Sequence, residues 1–280
     1  MSQSSVLAKT NIEKTAERHV TEARARLEKD EKREGKASSG YYNIVDEWLH
    51  TDLPDYEKQD HRLALEATGL IGAAIETTAW ALSFITFKLY ENKELFQKLR
   101  AELLKEAPDS QIPSLAKLEA LPYFSALVTE ALRATGGPVS RLPRIYSDDP
   151  TVLRSTHNGK PVEYTVPPKT VLSMSSTFIH NNPELFPEPH EFKPERWLDE
   201  SGKRKRDMEK YLMHFSRGTR GCVGLNLATA EIYMGIAALV LQVGDHLELH
   251  ETDARDVKTV YDNFAPRPYK GSQGIRVVLK

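Results

Sequence analysis

The single cysteine of the chain, Cys222, lies in Phe215-Ser216-Arg217-Gly218-Thr219-Arg220-Gly221-Cys222-Val223-Gly224, immediately ahead of an apolar run. Such a glycine-rich loop delivers a sulfur to a helix start, where free backbone N–H groups and the helix dipole favour thiolate over thiol. Arg217 and Arg220 add positive charge close by. An inert core cysteine needs neither the glycines nor the arginines, so the reading is a thiolate ligand or a nucleophile. A cysteine nucleophile wants a histidine and an orienting partner. His214 is near in sequence, but it is one of nine histidines and no protease signature surrounds it. A zinc site wants further nitrogen or sulfur ligands, and no histidine pair at metal spacing accompanies Cys222. A haem iron needs one axial protein thiolate, which suits a solitary cysteine.

Three other groupings stand out. Glu130 and Arg133 are spaced i,i+3, which puts acid and base on one helix face; alone, such a pair is usually a surface salt bridge. Glu76 and Thr77 interrupt the apolar run from Gly69 to Phe87. A threonine back-bonding to the preceding turn would explain Thr77 but not Glu76. Gly202-Lys203-Arg204-Lys205-Arg206 reads as a solvated turn, because no aromatics interleave with its charges.

Helices must position most of these groups. One long proline-free segment is expected from about Gln59 to Tyr90, a second from Asn92 to Glu106, and a third from Leu121 to Ala134 with Pro122 near its first turn. Ile12 to Lys36 is the most charged segment. Its apolar stripe, Ile12, Ala16, Val20, Ala23 and Leu27, marks a polar helix packing one face on the domain, with Glu22–Arg26 and Glu28–Lys32 as i,i+4 pairs. Gly35 to Gly40 then acts as a hinge. After Gly136, prolines separate short strands such as Pro161–Val166 and Thr170–Met174, and a proline-rich irregular tract runs from Asn181 to Trp197. A last helix is expected from Cys222 to about Leu241, followed by two strands around His246 to His250 and Gly274 to Leu279. This order does not support a parallel doubly wound sheet.

Composition narrows the class. The 280 residues are 40% hydrophobic and 28% charged, with 38 Lys plus Arg against 40 Asp plus Glu, which reads as soluble and globular. A net charge of −2 offers no global field for nucleic acid or an anionic membrane, and no nucleic-acid partner is expected. One cysteine excludes an internal disulfide framework and fits a reducing, intracellular setting. The first thirty residues carry no secretory signal. The Gly69–Phe87 run approaches the length of a membrane-spanning helix, but a central carboxylate costs about 2.5 kcal/mol or more on insertion; a helix buried in a globular core fits better.

Phe215-x-x-Gly218-x-Arg220-x-Cys222-x-Gly224 resembles the haem-binding loop of the cytochrome P450 family of haem-thiolate monooxygenases. Further motifs fall in that family's order. Glu130-Ala131-Leu132-Arg133 resembles its E-x-x-R helix, and Phe192-x-Pro194-Glu195-Arg196-Trp197 the segment whose arginine joins that pair. The resemblance thus implies a buried structural triad of Glu130, Arg133 and Arg196, serving folding and haem incorporation rather than bond making. Ala73-Ala74-Ile75-Glu76-Thr77 resembles the oxygen-binding stretch of the long central helix, with Ala74 where glycine is common. It assigns Glu76 and Thr77 as catalytic residues for proton delivery and for holding dioxygen, and a polar pair in an apolar helix suits proton delivery into a dry pocket. Arg144, in Leu142-Pro143-Arg144, sits where the family often places a haem-propionate partner; Arg220 is a second and Arg141 a competitor.

The resemblance covers about Gln59 to the C-terminus. Ser140–Arg144, Pro194–Leu198 and the tail from Glu251 to Pro266 are similar to fungal, trichodiene-oxygenase-like members of secondary metabolism. The implied fold is mainly α with small β-sheets, the C-terminal portion of the cytochrome P450 fold. Residues 1–40 would form a charged helix and hinge, and 41–280 the haem-binding portion. The implied cofactor is haem b, with Cys222 on the iron and Phe215, Arg220, Gly224 and Arg144 around the group. The implied partners are an NADPH-dependent cytochrome P450 reductase and an apolar small-molecule substrate that receives one oxygen atom. Members are considerably longer and usually anchored in the endoplasmic reticulum membrane; this chain begins with a charged helix and is expected to carry no anchor. The alternative is a catalytically inactive truncated remnant that does not hold haem productively. Apolar surface around Leu70, Trp80 and Phe84 would make the chain prone to association.

Overall fold

The computed structural model describes residues 3–31, 43–145 and 148–280, with side chains from residue 11 onward. The chain divides into two compact units, Met1–Glu76 and Thr77–Lys280. Among the described residues its helices are α1 (Gln3–Glu31), α2 (Ile44–His50), α3 (Asp60–Glu91), α4 (Lys93–Glu106), α5 (Leu115–Ala120), α6 (Pro122–Thr135), α7 (Ser176–His180) and α8 (Leu225–Ala238).

In the first unit the stripe read from sequence is the packed face. Ala16, Val20 and Ala23 of α1 are buried with Val45 and Leu49 of α2 and Leu63 and Ala67 of α3, and Leu27 packs at the edge. Arg26 does not pair with Glu22 as expected. It forks onto Asp46, Nε to Oδ1 at 3.0 Å and Nη2 to Oδ2 at 2.9 Å, because the bidentate geometry outcompetes a solvated i,i+4 pair. Asp46 also accepts the Asn43 backbone N–H at 2.9 Å, completing a capping box for α2. Burial pushes the Asp46 carboxyl up, but Arg26 and the Asn43 amide outweigh it and hold the group below its ordinary value. The Gly35–Gly40 hinge and Lys32 lie outside the described residues.

In the second unit the end of α3 supplies Ala81, Phe84, Ile85, Phe87 and Leu89 to a core shared with Leu99 and Leu103 of α4, Phe124, Leu127 and Ala131 of α6, and Ile232 and Ile236 of α8. The Gly69–Phe87 run is therefore buried only in its second half: Ile75 is 52% exposed and Glu76 is also exposed, whereas Phe84, expected at the surface, is core. Asp60–Glu91 and Leu225–His246 are both long and apolar enough to cross a membrane by length and composition.

Helix α6 starts at Pro122 and stops at Gly136, which takes the left-handed conformation. The Glu102 carboxylate from α4 accepts the N–H groups of Tyr123 and Phe124 at 2.9 and 2.8 Å, satisfying donors that a proline-started helix leaves open. The strands are short and antiparallel: β1 (Leu142–Ile145) with β4 (Val171–Met174), β2 (Thr151–His157) with β3 (Lys160–Val166), β5 (Leu247–Leu249) with β8 (Val277–Leu279), and β6 (Tyr261–Asn263) with β7 (Ala265–Arg267). The chain is mainly α with small β-sheets, as expected.

Candidate functional site

The geometry starts from α6. Glu130 and Arg133 are both buried and form a two-pronged pair, Nε to Oε2 at 2.9 Å and Nη2 to Oε1 at 2.8 Å. Arg196, from the 3-10 turn Pro194–Trp197, donates Nε to Glu130 Oε1 at 3.1 Å, so the three side chains named by the resemblance do meet. Two further donors complete the carboxylate: the Trp197 indole N–H at 2.9 Å and the Lys193 backbone N–H at 3.1 Å. Five hydrogen bonds to one buried carboxylate leave neither oxygen unsatisfied, which is what makes a buried charge tolerable.

The network reaches the cysteine loop through two histidines. Arg133 Nη1 donates to the carbonyl of His180, the last residue of α7, at 2.8 Å. The His180 ring in turn accepts the Met213 backbone N–H on Nε2 at 2.9 Å, which fixes His180 as neutral with its proton on Nδ1. Burial, then the nearby Arg133 charge, lowers its pKa to about 4. His214 lies next, its ring 6.1 Å from that of His180 and 4.7 Å from that of Phe215. Burial, then His180 and Arg217, lowers the His214 pKa to about 3. Gly137 lies against it: a Cβ there would stand 2.4 Å from the His214 carbonyl oxygen, and its φ is +63°. Only glycine fits both requirements.

The loop itself is closed by main chain. Ser216 N–H donates to Met213 O at 2.9 Å, Gly221 N–H to Gly218 O at 2.9 Å, and Cys222 N–H to Phe215 O at 2.8 Å. Cys222 is exposed, and Val223 beside it is 83% exposed. Helix α8 begins at Leu225 with Gly224 at its N-cap, not at Cys222 as expected; the glycine–cysteine turn finishes before the helical bonds begin. Arg220, in the turn Gly218–Arg220, has no ion-pair or hydrogen-bond partner among the described residues.

The other expected site residues lie on other elements. Arg144 is on β1, exposed, its guanidinium on the Pro143 carbonyl at 2.8 Å. Arg141 stacks over Phe178, 6.0 Å from the ring centroid. Glu76 and Thr77 are neighbours on α3, Glu76 exposed and Thr77 half-buried. Phe215, Arg220, Cys222 and Gly224 share one loop; among the described residues no hydrogen bond joins Arg144 to it.

The donor set suits a haem better than a bare ion or a nucleophile. Among the described residues no three His, Cys, Asp or Glu side chains converge as ligands, and no hydrogen bond joins His214 to Cys222. What the loop offers is one exposed sulfur, an unpaired guanidinium two residues earlier and apolar Val223, Leu225 and Leu227 at the surface. A thiolate for iron, a cation for a propionate and an apolar surface for a porphyrin are the complementary groups.

Sequence reasoning missed Arg204. Within the basic run read as a solvated turn, this side chain is only 12% exposed and bonds inward to four residues. No sequence signal marked it: Lys203, Arg204 and Lys205 are all basic, and the Leu198–Arg204 bridge that turns it inward forms only in the fold.

Comparison with known proteins agrees with this geometry. The family model for cytochrome P450 matches residues 2–266, taking in the charged first helix that the motifs do not reach. A cytochrome P450 monooxygenase of Eupenicillium brefeldianum is 39% identical over 271 residues, covering 94% of this chain and 49% of the relative. A tryptophan 6-hydroxylase of Fusarium equiseti is 38% identical over 245 residues, covering 87% and 46%. An N-acetyltryptophan 6-hydroxylase of Emericella nidulans is 36% identical over 240 residues, covering 85% and 45%. The chain spans about half the length of these curated relatives. With its cysteine loop, its buried glutamate–arginine cluster and a match over nearly all of its length, the chain belongs to the cytochrome P450 family, corresponding to the C-terminal portion of its members.

Proposed function

We propose that residues 41–280 carry the haem-binding portion of a haem-thiolate monooxygenase that inserts one oxygen atom from dioxygen into an apolar small molecule of fungal secondary metabolism. The observation that carries this reading is the exposed Cys222, held by its own N–H on Phe215 O and tied through Met213, His180 and Arg133 to the buried Glu130. Haem b, bound with a cysteine thiolate, supplies dioxygen activation and accepts electrons from an NADPH-dependent reductase.

The chain's own residues have separate tasks. Cys222 ligates the iron, and Arg220 and Arg144 hold carboxylates of the group, guanidinium to carboxylate. Phe215 and Gly224 line the loop, the Phe215 carbonyl accepting the Cys222 N–H and Gly224 capping α8. Glu76 would deliver protons through its carboxylate, and Thr77 would hold one at its hydroxyl, for the oxygen chemistry the group would supply. Tryptophan and N-acetyltryptophan hydroxylases among the relatives point to an aromatic or other apolar ring compound as the substrate class. Membrane association follows the usual habit of the family rather than any assigned segment.

The test is reconstitution with haem and a reductase under isotope-labelled dioxygen, with indole compounds and terpenoid hydrocarbons as probes. One labelled oxygen atom per product, lost in Cys222→Ala, is the expected result. A chain that folds but takes up no haem would favour the inactive remnant instead.

A further inference from the structure

We infer that Arg204 is a positioning residue for the Cys222 loop, fastening the chain segment that leads into it to α6; the inference rests on the reading of Cys222 as the haem ligand. The basic run is folded as a bridge rather than a free turn. Asp199 N–H donates to Lys203 O at 2.9 Å and Lys205 N–H to Trp197 O at 2.9 Å, so alternate side chains face opposite ways and Arg204 alone points inward. Lys203 and Lys205 on either side are exposed.

The guanidinium uses its whole fork. Nε donates to Ser125 Oγ at 3.0 Å, Nη1 to the Trp197 carbonyl at 3.0 Å, and Nη2 to Thr129 Oγ1 at 2.9 Å and Glu209 Oε1 at 2.6 Å. Its plane lies 5.8 Å from the Trp197 ring centroid. Lysine cannot replace this, because a single ammonium on a flexible stem lacks the rigid planar fork.

The partners decide the role. Ser125 and Thr129 stand two turns and one turn, respectively, before Arg133 on α6, the helix that carries Glu130. Glu209 begins the turn Glu209–Tyr211, and its carbonyl accepts Arg217 Nη2 at 3.0 Å from within the cysteine loop. Downstream of Cys222, the buried Tyr233 of α8 packs its ring on Phe124 of α6, the centroids 4.9 Å apart, so the helix leaving the loop is held on α6 by apolar contact. The segment entering the loop is referred to the same helix at Arg204. Glu130 fixes the loop from below through His180; Arg204 fixes its upstream end.

The role predicts a local effect that needs no haem to be read. In Arg204→Lys, amide hydrogen exchange across 213–224, which includes the Cys222 N–H, should rise about ten-fold, the worth of one charge-assisted hydrogen bond, while 93–106 of α4 is unchanged. With haem bound, the same variant should keep its haem per chain but lose about half of the long-wavelength ferrous–CO band to the shorter-wavelength form that lacks the thiolate. Lys205→Ala should match the parent in both measurements. Should Arg204→Lys fail to fold, Glu209→Ala, which cuts only the upstream fastening on a part-exposed side chain, carries the same expectation. Unchanged exchange over 213–224 in a folded variant overturns the inference, as does a uniform rise over the whole chain. If the parent chain shows no thiolate band, the monooxygenase reading fails and the exchange measurement alone decides the role of Arg204.

Discussion

The Trp197 indole N–H donates to Glu130 Oε2 at 2.9 Å, with both side chains fully buried. The tryptophan is therefore part of the ion cluster, not merely its apolar lid. Trp197→Phe keeps the ring and removes one of the two donors to Oε2, and should cost about 1–3 kcal/mol, the worth of a hydrogen bond to a buried charged group. Glu130→Ala strands Arg133 and Arg196 together and should cost about 3–5 kcal/mol. Denaturant unfolding of both variants checks the order; a Glu130→Ala chain as stable as Trp197→Phe would show that the carboxylate is not the hub.

Acid should weaken the fold through the two histidines. Their folded pKa values, about 4 for His180 and about 3 for His214, lie below the ordinary value of 6.5. Below pH 6.5 the unfolded chain binds protons that the folded chain refuses. Stability from these groups is therefore complete above about 6.5 and falls as pH drops towards about 4 and then 3, by up to about 1.4 kcal/mol per pH unit for each histidine. The loss between pH 7 and pH 5, measured by urea unfolding, should be smaller in His214→Asn than in the parent. Equal losses would contradict this assignment.

Gly137→Ala should be among the most damaging single-atom additions. Left-handed backbone costs a non-glycine residue about 1–2 kcal/mol, and the clash with the His214 carbonyl adds about 1–3 kcal/mol. Thermal unfolding should show a larger fall for Gly137→Ala than for Gly159→Ala, whose φ of +74° carries the same left-handed cost but which has nothing within 4 Å to clash with.

Thr77→Ala separates oxygen chemistry from haem binding. The variant should keep haem uptake while product formed per NADPH falls by on the order of 10²-fold, the worth of a positioned proton group. Loss of haem in Thr77→Ala would place the hydroxyl in the structure of the helix instead.

Long-period signals were readable in the chain. The helices at Asp60–Glu91, Lys93–Glu106 and Pro122–Thr135 follow from periodicity, an Asn92 cap and Pro122, and the α1 stripe from its spacing. Short elements were partly so: β3 and β4 match the expected strands Pro161–Val166 and Thr170–Met174, but β2 and the Asn158-Gly159 turn that pairs it with β3, both residues at positive φ, went unread. The Glu130 cluster came from motif resemblance, because an i,i+3 pair does not say whether it is buried. Arg204 and the His180–Met213 link were not legible at all. The α6 partners of Arg204 lie 75 and 79 positions away, and the Met213 partner of His180 33, and only the folded chain brings them together.

The ferrous–CO spectrum of the purified, haem-supplied chain tests the central claim most directly. A long-wavelength thiolate band in the parent chain, absent in Cys222→Ala, is the predicted result. An identical band in Cys222→Ala would contradict it, since the chain holds no other cysteine.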